Sequence, residues 1–179
     1  MPENPIKLNR ITLRYTGLFD FDGLYAAVID WAKLYGFKWH EKAYKHKVPS
    51  PKGAEQELDW VIEKKVTEYI GNKITFTIHT WDQQEVEVDT DGKKKTLTNA
   101  RMYIVIEGEL EYDWQKRFAG SSFARRLGDW YRNLVYKKEL EAVYLDQLYY
   151  RIWGLHSILK KYFDMQTQKF AYKTYLGEH

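Results

Sequence analysis

The chain has 179 residues, 44% of them hydrophobic and 17% aromatic, with a formal net charge of +3. That is enough apolar material for one sizeable core and excludes global disorder, while so mild a charge argues against a dedicated nucleic-acid binder. Without cysteine there is no disulfide framework, thiolate metal site or cysteine nucleophile.

No stretch approaches the ~18 uninterrupted apolar residues of a membrane span. The opening MPENPIKLNR lacks the apolar segment of a signal peptide, so a cytoplasmic location is expected.

In chain order, Ile6, Leu8, Ile11, Leu13 and Tyr15 alternate with a slip of phase between Leu8 and Ile11. This predicts a strand with a bulge near Asn9–Arg10. Asp20 and Asp22 offer a cap to a helix whose stripe is Leu24, Tyr25, Val28, Trp31, Ala32 and Tyr35, stopped by Gly36. Residues 37–48 read as extended, and Pro49 to Gly53 as a loop. Leu58, Trp60 and Ile62 begin an alternating strand that runs on through Val66 and Ile70, with Gly71–Asn72 as the hairpin turn and Ile74, Phe76 and Ile78 on the return. A short strand at Glu85–Val88, a second hairpin at Asp89–Lys93 and a long strand from about Leu97 to Tyr112 complete the sheet.

After Asp113 the period changes from 2 to 3.6. Ser121 and Ser122 are placed to cap a helix carrying Phe123, Leu127 and Trp130. From Glu139 to Phe163 the stripe Leu140, Val143, Tyr144, Leu148, Ile152, Leu155, Leu159 and Tyr162 predicts a further helix, with Lys137–Lys138 as a link or part of one continuous rod.

The expected fold is therefore α+β: an antiparallel meander of five to six strands over residues 6–112, helices at 20–36 and about 115–163, and one domain over 1–165 with a loosely ordered tail at 166–179. This element order resembles that of the helix-grip (START-like) domains, in which a curved meander wraps a long C-terminal helix around a cavity for a small apolar ligand. It also resembles the hotdog fold, in which a sheet wraps a central helix. The resemblance is one of element order and does not license a function.

Candidate chemistry is sparse. No phosphate-binding loop, nucleophile elbow or zinc-helix motif is present, and no cofactor is expected. His40 and His46 are six residues apart, ~20 Å along a strand, too far to chelate one ion; no metal site is expected. His79 with Asp82 or Glu85 is a candidate acid–base pair. The strand-spaced carboxylates Glu55, Glu57 and Asp59, Glu85 and Glu87, and Glu107, Glu109 and Glu111 read as solvated faces. Ser121 with Arg125 and Arg126 is a candidate anion site at a helix start, against the plainer reading of an ordinary cap.

Tyr144, Tyr149, Tyr150 and Trp153 together exceed what one sheet face can shelter. The first functional expectation is therefore a non-enzymatic interaction or structural protein that self-associates through its C-terminal helix as a homo-oligomer, or binds a protein partner. The second is a module binding a small apolar molecule between sheet and helix, lined by Trp60, Phe76, Ile104 and Trp153. The third is nucleic-acid binding through the basic hairpin tip at Lys93–Lys95 and the Lys42–Lys47 segment.

Overall fold

The predicted alternation is realised as six strands: β1 (Ile6–Lys7), β2 (Ile11–Phe19), β3 (Lys38–Ser50), β4 (Gly53–Lys65), β5 (Ile70–Thr90) and β6 (Lys93–Tyr112). Among the described residues three α-helices accompany them, α1 (Phe21–Leu34), α2 (Ser122–Trp130) and α3 (Asp146–Tyr162), the last preceded by a π-helical segment at Leu140–Leu145. The computed structural model describes residues 5–50, 53–90, 93–118, 120–131, 133 and 140–163. The expected link at Lys137–Lys138 and the tail at 166–179 lie outside them. Among the described residues no helix is long and apolar enough to cross a membrane.

All strand pairs are antiparallel, in the order β3–β4–β5–β6, with β1 and β2 both on the far edge of β6. Lys7 pairs with Glu109 and Ile11 with Ile106, so one extra residue lies on the N-terminal side. That is the bulge the phase slip predicts, and β1 and β2 act as one interrupted edge strand. Helix α1 crosses from this edge to the opposite edge at β3. The molecule is an α+β protein in which the N-terminal strand adds an edge to the meander beside its last strand.

Residues opposite one another in antiparallel strands share a face, and the inner face is built of rows running across the sheet. Leu58 meets Ile78, Ile104 and Leu13 in succession; Trp60 meets Phe76, Ile106 and Ile11. Trp60 stacks on Phe76 at 5.6 Å. Burying each such side chain contributes about 1.5–3 kcal/mol, and two helices cover the rows. Helix α1 buries Leu24, Val28, Trp31 and Ala32. Asp20 caps it through Gly23 N–H at 2.9 Å, and Gly36 at φ 71° ends it in the left-handed conformation that glycine tolerates.

Helix α3 buries Leu148, Ile152, Leu155, His156 and Leu159. It lies close to β6 because position 108 is glycine: a Cβ there would stand 2.5 Å from Ile152 Cδ1. A smaller cluster at one end joins Ile70 and Leu110 to Val66, Tyr69, Tyr144 and Leu145.

Two details differ from expectation. The β4–β5 turn lies at residues 66–69, not at Gly71–Asn72, which pair inside β5 with Lys65 and Lys64. The Thr67 hydroxyl accepts from the amides of Tyr69 (3.2 Å) and Ile70 (2.9 Å) and stabilises that earlier turn. The hairpin return and the short strand at Glu85–Val88 are one continuous β5, joined through an irregularity between Trp81 and Gln84 where Asp82 adopts φ 55°.

Candidate functional site

Three places bring chemistry-bearing side chains together. The first lies on the outer face of the sheet, which no helix covers among the described residues. His79 Nε2 stands 2.7 Å from Glu55 Oε1 and 3.9 Å from Glu57 Oε1, because β4 and β5 pair Glu57 with His79. The ligand atoms of these side chains lie within 4.8 Å of one another, a spacing a metal ion can bridge.

The carboxylates are already engaged: Lys45 reaches Glu57 at 3.0 Å, and Lys47 reaches Glu55 at 3.5 Å and Glu57 at 3.7 Å. Both acids are held below the ordinary glutamate value, Glu55 first by the hydrogen bond from His79 and Glu57 first by that from Lys45. The cluster is a cross-strand lattice of ion pairs in which lysines occupy the positions a cation would take. His79 also stacks on Trp81 with centroids 3.8 Å apart.

Asp82, the other member of the expected acid–base pair, binds Arg101 at 2.7 Å. Glu85 pairs with Thr98, on the inner side of the sheet. The structure therefore does not bring His79 together with either carboxylate proposed for it.

The second place is the helical surface. On α3 the buried side chains recur at 148, 152, 155, 156 and 159, and the opposite arc carries Tyr149, Tyr150 and Trp153. Tyr150 is 71% exposed and Trp153 39%. Tyr149 touches both in edge-on contacts, at 5.5 Å to Tyr150 and 6.0 Å to Trp153. Gly154 follows on the same arc, and a Cβ there would meet nothing within 4 Å among the described residues. The arc is thus a ridge of rings beside a notch. Tyr144 is half-buried and packs on the Ile70–Leu110 cluster, so it is not part of the ridge. Helix α2 shows a second exposed stripe, Phe123, Leu127 and Trp130, at spacings of four and three. Sequence reasoning gave that stripe no surface role; its signal was the charged run Arg125, Arg126 and Asp129 between the apolar positions, which leaves only a narrow apolar line. Ser121 is the cap of α2, accepting from Ala124 N–H at 3.1 Å, and the side chains of Arg125 and Arg126 are exposed.

The third place is the inner side of the sheet. Trp60 and Phe76 are 0% exposed and Ile104 is 1% exposed. They form closed core beneath the helices, and Trp153 lies on the outward arc of α3, so these four side chains do not line a common cavity. A groove of about 390 Å³ opens farther along the sheet, beyond the first turn of α1. Its walls are polar as well as aromatic, among them Phe21, Asp22, Tyr25, Glu41, Tyr44 and Glu85. Tyr25 packs edge-on against Trp39 and Trp60. Its phenol is held above the ordinary tyrosine value, first by burial and then by the charge of Glu41. Sequence reasoning missed this groove because its residues come from α1 and four strands. Comparison with known proteins adds no family: no protein-family model matches this sequence, and neither does any curated protein.

Proposed function

We propose that the protein is a non-enzymatic interaction protein that self-associates through the outward arc of α3. The observation that carries this reading is the ridge of Tyr149, Tyr150 and Trp153 set beside the notch at Gly154, which no described residue fills. Large rings exposed on a helix favour association, because water is released from apolar surface and the rings need little ordering. Ridge and notch on one helix are self-complementary. Two copies of α3 crossing about a two-fold axis near Trp153–Gly154 place each ridge over the other's notch. A net charge of +3 opposes such pairing only weakly at physiological ionic strength.

The test is the oligomeric state of the full chain by light scattering across micromolar concentrations, with the double variant Tyr150→Ser/Trp153→Ser. A concentration-dependent dimer that the variant converts to monomer, with unchanged circular dichroism, supports the reading. A monomer throughout overturns it, as does a dimer that survives the variant and is dissolved instead by Phe123→Ser/Trp130→Ser on α2. A chain ending at Phe163 separates a second copy from the chain's own residues 164–179 as the cover of the ridge. If the full chain is a monomer and the shortened one a dimer, the cover is the chain itself and the reading fails.

A further inference from the structure

The groove on the inner side of the sheet gathers carboxylates of α1, β3 and β5 around one concavity. On the outer face Glu55, Glu57, Asp82, Glu107, Glu109 and Glu111 each have a lysine or arginine within 4 Å. Among the described residues the groove's carboxylates, Asp22, Glu41 and Glu85, have none, and no lysine, arginine or histidine lines the groove. In a chain with 28 lysines and arginines, an acidic concavity left without cations is a local excess of charge that a ligand can neutralise. Lys95, at the edge of α1, is committed to Asp20 at 2.6 Å. Asp20 at the cap and Asp22 in the first turn offset the positive pole of the helix.

The walls between the acids are aromatic: Phe21, Tyr25 and Tyr44. The negative face of a ring attracts an organic cation and gives little to a hard metal ion, which needs converging oxygens. The groove carboxylates do not converge in that way; among the described residues only Glu55, Glu57 and His79 do. The floor carries a further signal. Thr98 is 7% exposed and lines the groove, and its hydroxyl has no hydrogen-bond partner among the described residues. Beside it Gln83 accepts from Thr80 at 3.1 Å through its carbonyl oxygen.

Two bulges build this arrangement. Glu41 lies opposite Trp60 and Tyr44 opposite Leu58, with a register shift between Glu41 and Ala43, so side chains of opposite parity reach the same inner face. The irregularity between Trp81 and Gln84 likewise turns Glu85 inward, opposite Thr98. Regular strands would send Tyr44 and Glu85 to the outer face.

We propose that this groove binds a small organic cation with more than one ammonium or guanidinium group, held between the tyrosine rings and the separated carboxylates, with the Thr98 hydroxyl as a polar anchor. The volume suits such a molecule. The same chemistry is offered by a free polyamine and by lysine or arginine side chains of a peptide.

The test is isothermal titration of the full chain with spermidine, with a trilysine peptide and with magnesium chloride at matched ionic strength. Saturable one-to-one binding of spermidine or of the peptide, weakened about tenfold by Glu41→Gln and by Glu85→Gln and unaffected by the outer-face change Glu107→Gln, is the expected result. Spermidine alone identifies a free amine as the ligand; the peptide alone identifies a protein side chain. Glu85→Gln alters an exposed side chain, so it reads the site even if Glu41→Gln, which removes the carboxylate beside Trp60, impairs folding. No saturable binding, binding that Glu107→Gln weakens equally, or magnesium binding as tightly as spermidine overturns the proposal.

Discussion

Gly154→Ala separates the stability of the subunit from its association. Gly154 lies near the middle of α3, where glycine costs a helix about 1 kcal/mol relative to alanine. Among the described residues nothing repays that cost, since a Cβ at this position meets none of their atoms within 4 Å. In the isolated subunit the substitution should therefore stabilise by up to about 1 kcal/mol, which raises the melting temperature by roughly 2–4 °C for a chain of this size. In the paired state the same methyl group enters the notch that receives the partner's rings. Overpacking a close contact costs about 1–3 kcal/mol, so the dissociation constant should rise about fivefold to 150-fold. The assays are a thermal melt at a concentration where the subunit is alone, and sedimentation velocity over a dilution series. The two results must move in opposite directions. A stabilised subunit that associates as well as before, or better, would show that the notch is not a contact and refute the pairing.

The remaining predictions concern the fold. Gly108→Ala should destabilise by about 1–3 kcal/mol, because its Cβ would stand 2.5 Å from Ile152 Cδ1 and 2.9 Å from Leu8 Cδ1; adding Ile152→Val should recover part of that loss in a urea-denaturation double-mutant cycle. Asp20→Ala should cost about 1 kcal/mol as a lost helix cap. The Asp20 carboxyl is held below its ordinary 3.8, first by the hydrogen bond from Lys95 and then by the Gly23 amide. Its ionic contribution is therefore complete above pH 3.8 and lost as the pH falls through its lower folded value, and Asp20→Asn should remove that acid dependence while keeping most of the cap. His156 is buried in α3 and its imidazole is held below the ordinary 6.5, first by burial and then by Lys160. Its folded form binds fewer protons than its unfolded form, so stability should be highest above pH 6.5 and decline as the pH falls from there towards the folded value. His156→Gln should flatten that decline in melts between pH 7 and pH 5.

The parts of the fold legible in the sequence are those set by local period. The stripe from Leu24 to Ala32 with Asp20 before it specifies α1, and the phase slip after Leu8 specifies the interruption between β1 and β2. The β4–β5 turn was misplaced because glycine and asparagine are strong turn residues, whereas here the decisive group is the Thr67 hydroxyl, whose bonds to Tyr69 and Ile70 exist only in the folded turn. The exposed ring ridge followed from counting aromatics against a single sheet face. Tyr144 belongs to that count but not to the ridge, because the sheet's end has a cluster of its own, around Ile70 and Leu110, that half-buries it.

The carboxylates show most sharply where reading by alternation stops. Glu55, Glu57 and Asp59 fall on the outer face as their spacing requires, and there lysines from β3 meet Glu55 and Glu57. Glu85 has the parity of His79 in the same strand, so alternation assigns both to one face and suggests an acid–base pair. The irregularity at Trp81–Gln84 separates them. His79 stays outside with Glu55, and Glu85 turns inward beside Thr98. A break in register of this kind costs ladder hydrogen bonds, and its effect is to move a carboxylate from the outer face of the sheet into the groove. The same holds across the sheet, where the shift after Glu41 brings Tyr44 inward. Restoring regular pairing at either position should therefore leave the outer ion-pair lattice and the core rows in place while removing one wall of the groove, because neither lattice nor rows draw on Tyr44 or Glu85.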